Sequence, residues 1–341
     1  MTDSVQSKLI ISSATALGSP SDEALDEAEA GADLELRQVV VPAASHGARL
    51  DRALAGIVPE FSRSYLQQLI EAAAVQINGA IVTKVSAKVK AGDDLLIELK
   101  PTPQSQAFQP EAMALEVVFE DEHFLVINKP AGLVVHPAPG NWSGTLLNGL
   151  LARDTQAGLL PRAGIVHRLD KDTSGLMVVA RRRQAMDQLV GMIASRTVSR
   201  EYLAIGHGAW QGPATCQVNA AIGRDPRNRL RMAVVDLDKN AGKTASTGFT
   251  LVHSEGAYCL VRCKLQTGRT HQIRVHMASM GHPLVSDEVY GGRPAGGLKR
   301  QALHAYKLAF DHPVTGEALD FRSALPADLA AAVSNLGLRY N

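Results

Sequence analysis

The stretch KPTPQSQAFQPEAM, residues 100 to 113, constrains the 341-residue chain more than any other. Its prolines and glutamines and its lack of apolar periodicity mark a linker, so the sequence on either side has to build its own core. The expected division is an acidic tail over 1–46, a small domain over 47–100, a linker over 101–113, a larger domain over 114–332 and a C-terminal tail over 333–341. No apolar run approaches the roughly 18 to 20 residues of a membrane-spanning helix. Leu9-Ile10-Ile11 is cut off by Ser12 and Ser13, too short for a secretory signal. A cytoplasmic protein without a membrane partner is the expectation. Three cysteines, Cys216, Cys259 and Cys263, argue against a disulfide framework.

Charge is informative only in its distribution. The 35 basic and 34 acidic side chains nearly cancel, yet acids crowd the first 35 residues, while Arg181-Arg182-Arg183 and Arg224, Arg227, Arg229 and Arg231 form basic clusters later. After the tail, Leu50, Ala53, Leu54 and Ile57 fall at helical spacing, Pro59 breaks the run, and Leu66, Leu69, Ile70 and Ala73 repeat it. Ser64 and Ser62 compete as the start of that second helix. Asn78-Gly79 then signals a tight hairpin, and Gly92-Asp93 turns into a strand at Leu95 to Leu99. This order, with ARLDRAL, FSRSYLQQLI, VQINGAIVTK and KAGDDLLIEL at its landmarks, resembles the S4 RNA-binding domain. The resemblance implies phosphate contacts for Arg49, Arg52, Arg63, Lys84 and Lys88.

Beyond the linker, Leu115 to Glu120 and Phe124 to Asn128 read as strands around a turn, Met186 to Ile193 as a helix, and Tyr258 to Leu265 as a strand. Strands outnumber helices, which predicts an α+β domain with a mixed, largely antiparallel sheet. GIVHRLDKDTSG, residues 164 to 175, is flanked by the strand signals Gly164-Ile165-Val166 and Leu176 to Ala180. Its two carboxylates and two basic side chains therefore sit on a loop between core strands, where a rigid scaffold can hold chemistry. From the pattern alone, Asp170 and Asp172 fit two other uses: capping loop amides, with Arg168 and Lys171 as counterions, or forming a glycosidase pair whose carboxyl separation sequence does not supply.

HRLDKDTSG, together with KPAGLVVHP (129 to 137), TGRTHQIRVHM (267 to 277), HPLVSDEVYGG (282 to 292) and QALHAYKLAFDHP (301 to 313), resembles the pseudouridine synthases of the large-subunit ribosomal RNA type, the RluA family. Within it the S4-bearing, RluD-like branch is most similar, over about residues 47 to 330. The family commonly has Asp-Pro where this chain has Asp287-Glu288, a change that bears on turn rigidity. The resemblance implies an isomerase that breaks the C1′–N1 bond of a uridine in RNA, turns the base and rejoins it through C5. No net redox change occurs, so no cofactor is expected. It implies Asp170 as the catalytic carboxylate, either nucleophile or base, Arg274 as its cationic partner and Tyr202 as the active-site tyrosine. Arg168 matches the position that enters the RNA helix as the base leaves.

Local pattern adds detail. Thr270 is the expected N-cap of a helix whose apolar stripe is Ile273, His276, Met277 and Met280, with Gly281 as its stop and Arg274 off the stripe in the first turn. His167 is expected to pack within its loop. Cys259 and Cys263, four strand residues or roughly 13 Å apart, are expected in the core. His271 and His276 lack the i, i+4 spacing of a zinc protease, so no metal is expected. The implied partner is large-subunit ribosomal RNA or a pre-ribosomal particle, approached by a monomer. A transfer-RNA target, or a binding-only ribosome assembly factor, are the alternatives.

Overall fold

Residues 94–99 alternate, with Leu95, Ile97 and Leu99 buried, as expected of a strand with one face on a core. The computed structural model describes residues 35–99, 107–138 and 140–340, and these fall into two compact units that divide at Pro101. The first unit contains β1 (Glu35–Val40), α1 (Leu50–Ile57), α2 (Arg63–Glu71), β2 (Val75–Ile77), β3 (Ala80–Ile81) and β4 (Asp94–Leu99). The sheet order is β1-β4-β2-β3, antiparallel throughout. Ser62 caps α2 by accepting from the Tyr65 amide, which places Ser64 inside the helix. Asn78 and Gly79 both take positive φ, 51° and 81°, as a two-residue hairpin of the strand-matching hand requires.

The expected tail over 1–46 ends earlier. Residues 35–40 form β1, held along β4 from Glu35 opposite Leu99 to Val40 opposite Asp94, because Val39 and Val41 pack on the first unit's core. Residues 1–34 of that tail lie outside the described residues. In the first turn of α1, facing α2, lies Asp51, with none of its surface exposed. It accepts from Arg49 Nε at 3.0 Å, Arg63 Nη2 at 2.6 Å and Gln67 Nε2 at 2.8 Å. Burial opposes its charge, but the bonds from Arg49, Gln67 and Arg63 outweigh that and hold the carboxyl far below its ordinary range. A carboxyl so depressed stabilises the fold above its unfolded value of about 4. That contribution is lost as pH falls through the lower folded value. Asp51→Ala is therefore expected to speed amide hydrogen exchange in α1 and α2 of the full chain by roughly tenfold or more at neutral pH, and by progressively less in acid. Unchanged exchange would assign the helix pairing to apolar packing alone.

The second unit contains β5 (Glu116–Glu120), β6 (Phe124–Lys129), α3 (Leu146–Arg153), β7 (Ser174–Ala180), α4 (Arg183–Ala194), β8 (Ser199–His207), β9 (Thr215–Asn219), β10 (Ile222–Arg224), β11 (Met232–Val234) and β12 (Gly242–Lys243). After these come β13 (Ser246–Glu255), β14 (Tyr258–Leu265), α5 (Gln272–Ser279), β15 (Leu303–Asp311), β16 (Ala318–Arg322) and α6 (Ala327–Asn335). A nine-stranded sheet follows the order β5-β6-β7-β15-β8-β14-β13-β9, with β16 also on β15. Only β7 and β15 pair in parallel, so the unit is α+β with a mixed, largely antiparallel sheet. Strand alternation sorts the side chains. Leu125, Met177, Tyr202 and Val261 meet α3 and α5 on one face, while Phe124, Val178 and Leu308 meet α4 on the other. The β10–β12 segments form a separate small sheet.

Two further expectations change. The described second half of the linker is packed: Ala107 is buried, and the carbonyls of Ala107 and Gln109 accept from the Asn148 side chain of α3. The C-terminal tail is instead part of the fold, since Val333 and Leu338 are buried in one cluster with Leu203 and Ile205 of β8. Among the described residues no helix is long and apolar enough to cross a membrane.

Candidate active site

The loop carrying Asp170 is fixed through its backbone. Gly164-Ile165-Val166, expected as a strand, supplies only a single bridge from Ile165 to Val179. The preceding residues wind a tight turn in which Arg162 and Ala163 take left-handed angles, and that turn consumes the length a strand needs. Downstream, the Thr173 amide donates to the Asp170 carbonyl at 3.1 Å. Lys129, 1% exposed, donates to the carbonyls of Pro130, Leu133 and Lys171 at 2.7, 3.0 and 3.0 Å. Burial pushes this ammonium down to about 8, against the pull of Asp172 and Asp170. From the other side Arg300 Nη1 donates to the Asp172 carbonyl at 3.0 Å. KPAG and HRLDKD, far apart in sequence, thus meet through one lysine.

Gly175 allows the loop to enter β7. Its φ is 115°, and a Cβ there would collide with the Ala305 backbone of β15. The two parallel strands approach at a distance only glycine permits.

The Asp170 carboxylate faces α5. Arg274 Nη1 donates to its Oδ2 at 3.2 Å, and the same guanidinium makes two bonds to Asp287, Nε to Oδ2 at 2.7 Å and Nη2 to Oδ1 at 2.8 Å. Arg274 is 6% exposed and Asp287 2%. Burial alone would weaken the guanidinium's hold on its proton, but Asp287 and then Asp170 reverse this and raise its pKa above the ordinary arginine range. The Arg274 guanidinium also lies over the Tyr290 ring, 5.0 Å from its centroid. Three partners fix a side chain that would otherwise carry large rotamer freedom.

The expected cap Thr270 is displaced by one residue. His271, with φ 57° and ψ 24°, occupies the N-cap position and offers no side-chain cap; Gln272 Oε1 accepts from the Arg269 amide and the Thr267 hydroxyl instead. This left-handed step leaves the His271 ring Nε2 3.9 Å from Asp170 Oδ2. Its Nδ1 is 2.8 Å from the Tyr290 hydroxyl, which accepts from the Met232 amide at 3.1 Å. The Tyr290 hydroxyl keeps its own proton and a further lone pair, so it pairs with His271 Nδ1 in either tautomer of the ring. Burial lowers the His271 pKa, with Asp170 opposing, which favours the neutral ring.

Asp170, Tyr202 and Arg274 line one cavity of 770 Å³ together with Arg168, Arg200 and His271. Tyr202 is 5% exposed on β8, opposite Cys263 of β14. Burial, eased by Arg200 and reinforced by Asp170, pushes its hydroxyl up to about 12, so it is a neutral donor at pH 7. Arg168 is exposed at the cavity rim. Lys129, Arg200, His271, Asp287 and Tyr290 were not singled out as site residues from the sequence. Arg200 sits beside Tyr202 in SREYLAIGHG, where strand alternation places both on one face. His276, read as part of an apolar stripe, is buried with polar partners: its ring lies 2.9 Å from the Thr247 hydroxyl and 3.0 Å from the Ala220 carbonyl.

Of the side chains expected to meet RNA in the first unit, Arg52, Lys84 and Lys88 are exposed. Arg49 and Arg63 are half-exposed and bonded to Asp51. Cys259 and Cys263 lie in the core on β14. Among the described residues, no group of three or more His, Cys, Asp or Glu is arranged to hold a metal ion.

Comparison with known proteins places these elements. The family described as RNA pseudouridylate synthase matches residues 123–279, and the S4 domain matches residues 48–95. The chain is 46% identical over 311 residues to the ribosomal large subunit pseudouridine synthase D of Neisseria meningitidis serogroup A, spanning 88% of this chain and 82% of the relative. It is also 46% identical over 310 residues to the enzyme of the same name from Nitrosomonas europaea, spanning 88% of each. The solved structure of human RNA pseudouridylate synthase domain containing 1 superimposes with a TM-score of 0.50 at 27% identity, over 66% of this chain and 90% of that one.

Proposed function

Because the chain belongs to the ribosomal large subunit pseudouridine synthase D family and is an RNA pseudouridine synthase, we propose that it isomerises specific uridines of 23S ribosomal RNA, with Asp170 as the catalytic carboxylate. The observation that carries the assignment of the site is Arg274, shared between Asp170 at 3.2 Å and a buried, bidentate Asp287. A carboxylate with a fixed cation on one oxygen keeps its counter-charge when an extruded base excludes water, and keeps its other oxygen for substrate.

Two routes use this arrangement. Asp170 either bonds to C1′ as the C1′–N1 bond breaks, or removes the C2′ proton so that the base departs. In both, the base turns and C5 bonds to C1′, displacing the Asp170 oxygen in the first route and with the proton returned to C2′ in the second; the C5 proton then leaves and N1 receives one. Arg274 orients the carboxylate; Tyr202 offers a ring for the uracil to stack on and a neutral hydroxyl near it. Exposed Arg168 is suited to the place left by the extruded base. The first unit, with exposed Arg52, Lys84 and Lys88, supplies sequence-independent phosphate contacts. A cytoplasmic location beside assembling large subunits follows from this reading.

The test is a map of pseudouridine in large-subunit RNA from cells lacking the protein. Specific marks should vanish and return when the natural chain is supplied. A complete set of ribosomal marks with missing transfer-RNA marks would move the substrate to transfer RNA. A complete set in both would leave the 23S assignment without support.

A further inference from the structure

Arg200 and Tyr202 are two residues apart on β8, so both side chains leave the strand on one face, and both line the cavity that holds Asp170. Arg200 is 7% exposed. Among the described residues its Nε has no hydrogen-bond partner, while Asp170, the carboxylate that lines the cavity, pairs with Arg274. An arginine does not escape burial by losing its proton, and a charge taken out of water without a counterion is costly. A second buried donor belongs to the same wall. His167 Nε2 accepts from the Val178 amide at 3.1 Å; burial, with the Arg200 charge adding to it, pushes the ring down to about 3, so the ring is neutral with its proton on Nδ1. That Nδ1 is buried and also lacks a partner. Gly268 leaves the guanidinium its space, since a Cβ there would lie 2.9 Å from Arg200 Nη1.

Resting on the proposed isomerase reading, we propose that Arg200 is a further catalytic residue, one that binds the uracil ring as it becomes an anion, with the His167 Nδ1–H beside it. When C1′–N1 breaks, its electron pair stays on N1, and the detached base spreads the negative charge over N1, O2 and O4. Asp170 balances the other fragment, by bonding to C1′ or by holding the C2′ proton. The ring, held by a cation rather than by a covalent bond, turns; C5 then bonds to C1′ as the Asp170 oxygen leaves it or as C2′ recovers its proton, the C5 proton leaves and N1 is protonated. A backbone phosphate is the less fitting anion, because Arg162, Arg168 and Arg196 stand exposed at the cavity rim, where a solvated phosphodiester runs, and Arg200 does not.

The experiment measures single-turnover pseudouridine formation at saturating protein, together with RNA affinity as a function of salt, for the natural chain, Arg200→Met and Arg200→Lys. Loss of one preorganised donor to a developing anion is expected to slow Arg200→Met by about 10²–10³-fold, with RNA affinity within about threefold and an unchanged salt slope. Arg200→Lys, keeping the charge without the planar fork, should fall between the two. A weakened affinity with a salt slope lower by about one and a natural saturated rate would assign Arg200 to a phosphate and overturn the proposal. Should Arg200→Met fail to fold, Arg200→Lys decides: a slowed rate at unchanged affinity supports the proposal, and a natural rate overturns it. If the natural chain forms no pseudouridine, the isomerase reading and this inference fall together. An active natural chain indifferent to Arg200→Met removes the inference alone.

Discussion

Asp170→Asn is expected to lower the single-turnover rate of uridine isomerisation by on the order of 10⁴-fold or more, while RNA affinity stays within about threefold. The amide has nearly the shape of the carboxylate, but it neither bonds to C1′ as a stable leaving group nor accepts a proton from C2′ at neutral pH. The fold should survive. Arg274 keeps both bonds to Asp287, and the loop is held by Lys129 and Arg300 through carbonyls that the substitution does not touch. The thermal midpoint should therefore stay or rise slightly, as it does when a site carries charge for function rather than stability. Stopped single-turnover assays with a filter-binding control check both halves. A slow variant that also binds RNA poorly would move Asp170 from chemistry to recognition.

Arg274 should show the opposite balance. Arg274→Gln leaves Asp287, 2% exposed, as a buried carboxylate without its cation, a change expected to cost about 3–5 kcal/mol of stability. The isomerisation rate should fall as well, because Asp170 loses the donor that orients it. Adding Asp287→Asn removes the uncompensated charge, so the double variant is expected to be more stable than Arg274→Gln alone, by roughly 1–3 kcal/mol, yet no faster. Denaturant titration of the four corners of this cycle gives the stability coupling, and saturated rates give the catalytic one. Additive stabilities would separate Arg274 from Asp287 energetically despite their 2.7 and 2.8 Å bonds. A double variant with a restored rate would show that the cation is not needed at Asp170.

Much of the fold is legible in the sequence because the signals are local. Asn78-Gly79, the break at Pro59 and the alternation from Tyr258 to Leu265 each specify an element through the angles or faces their own residues prefer. The first described strand was missed for the opposite reason: β1 is stabilised by pairing with β4, about 60 residues away, and its segment ELRQVV puts few side chains in the core. The C-terminal residues look like a tail until β8 supplies the surface that buries Val333 and Leu338.

The site divides in the same way. Asp170, Arg274 and Tyr202 stand out through motif resemblance, and strand alternation would have paired Arg200 with Tyr202. Nothing local reveals that His271 precedes the helix with a left-handed step, or that its ring pairs with the Tyr290 hydroxyl, which also accepts from an amide of β11. Asp287 shows the limit clearly. Its neighbour Glu288 draws notice as a departure from Asp-Pro, but the turn closes without proline, through the amides of Tyr290 and Gly292 donating to the Asp287 carbonyl at 3.0 and 2.8 Å. The consequential feature is the Asp287 carboxylate beneath Arg274, a contact 13 residues away in sequence.

On the proposed function, this chain moves a uridine's glycosidic bond from N1 to C5 in large-subunit ribosomal RNA through Asp170. Pseudouridine formation expels the hydrogen on C5, so the most direct measurement is tritium release from a large-subunit RNA transcript made with uridine labelled at C5, with nucleosides identified after digestion. The natural chain should release tritium in step with pseudouridine, leave total nucleotide mass unchanged apart from the label, and yield no free uracil, whereas Asp170→Asn releases nothing above background. Free uracil in the digest, or tritium release by Asp170→Asn at the natural rate, would contradict the account.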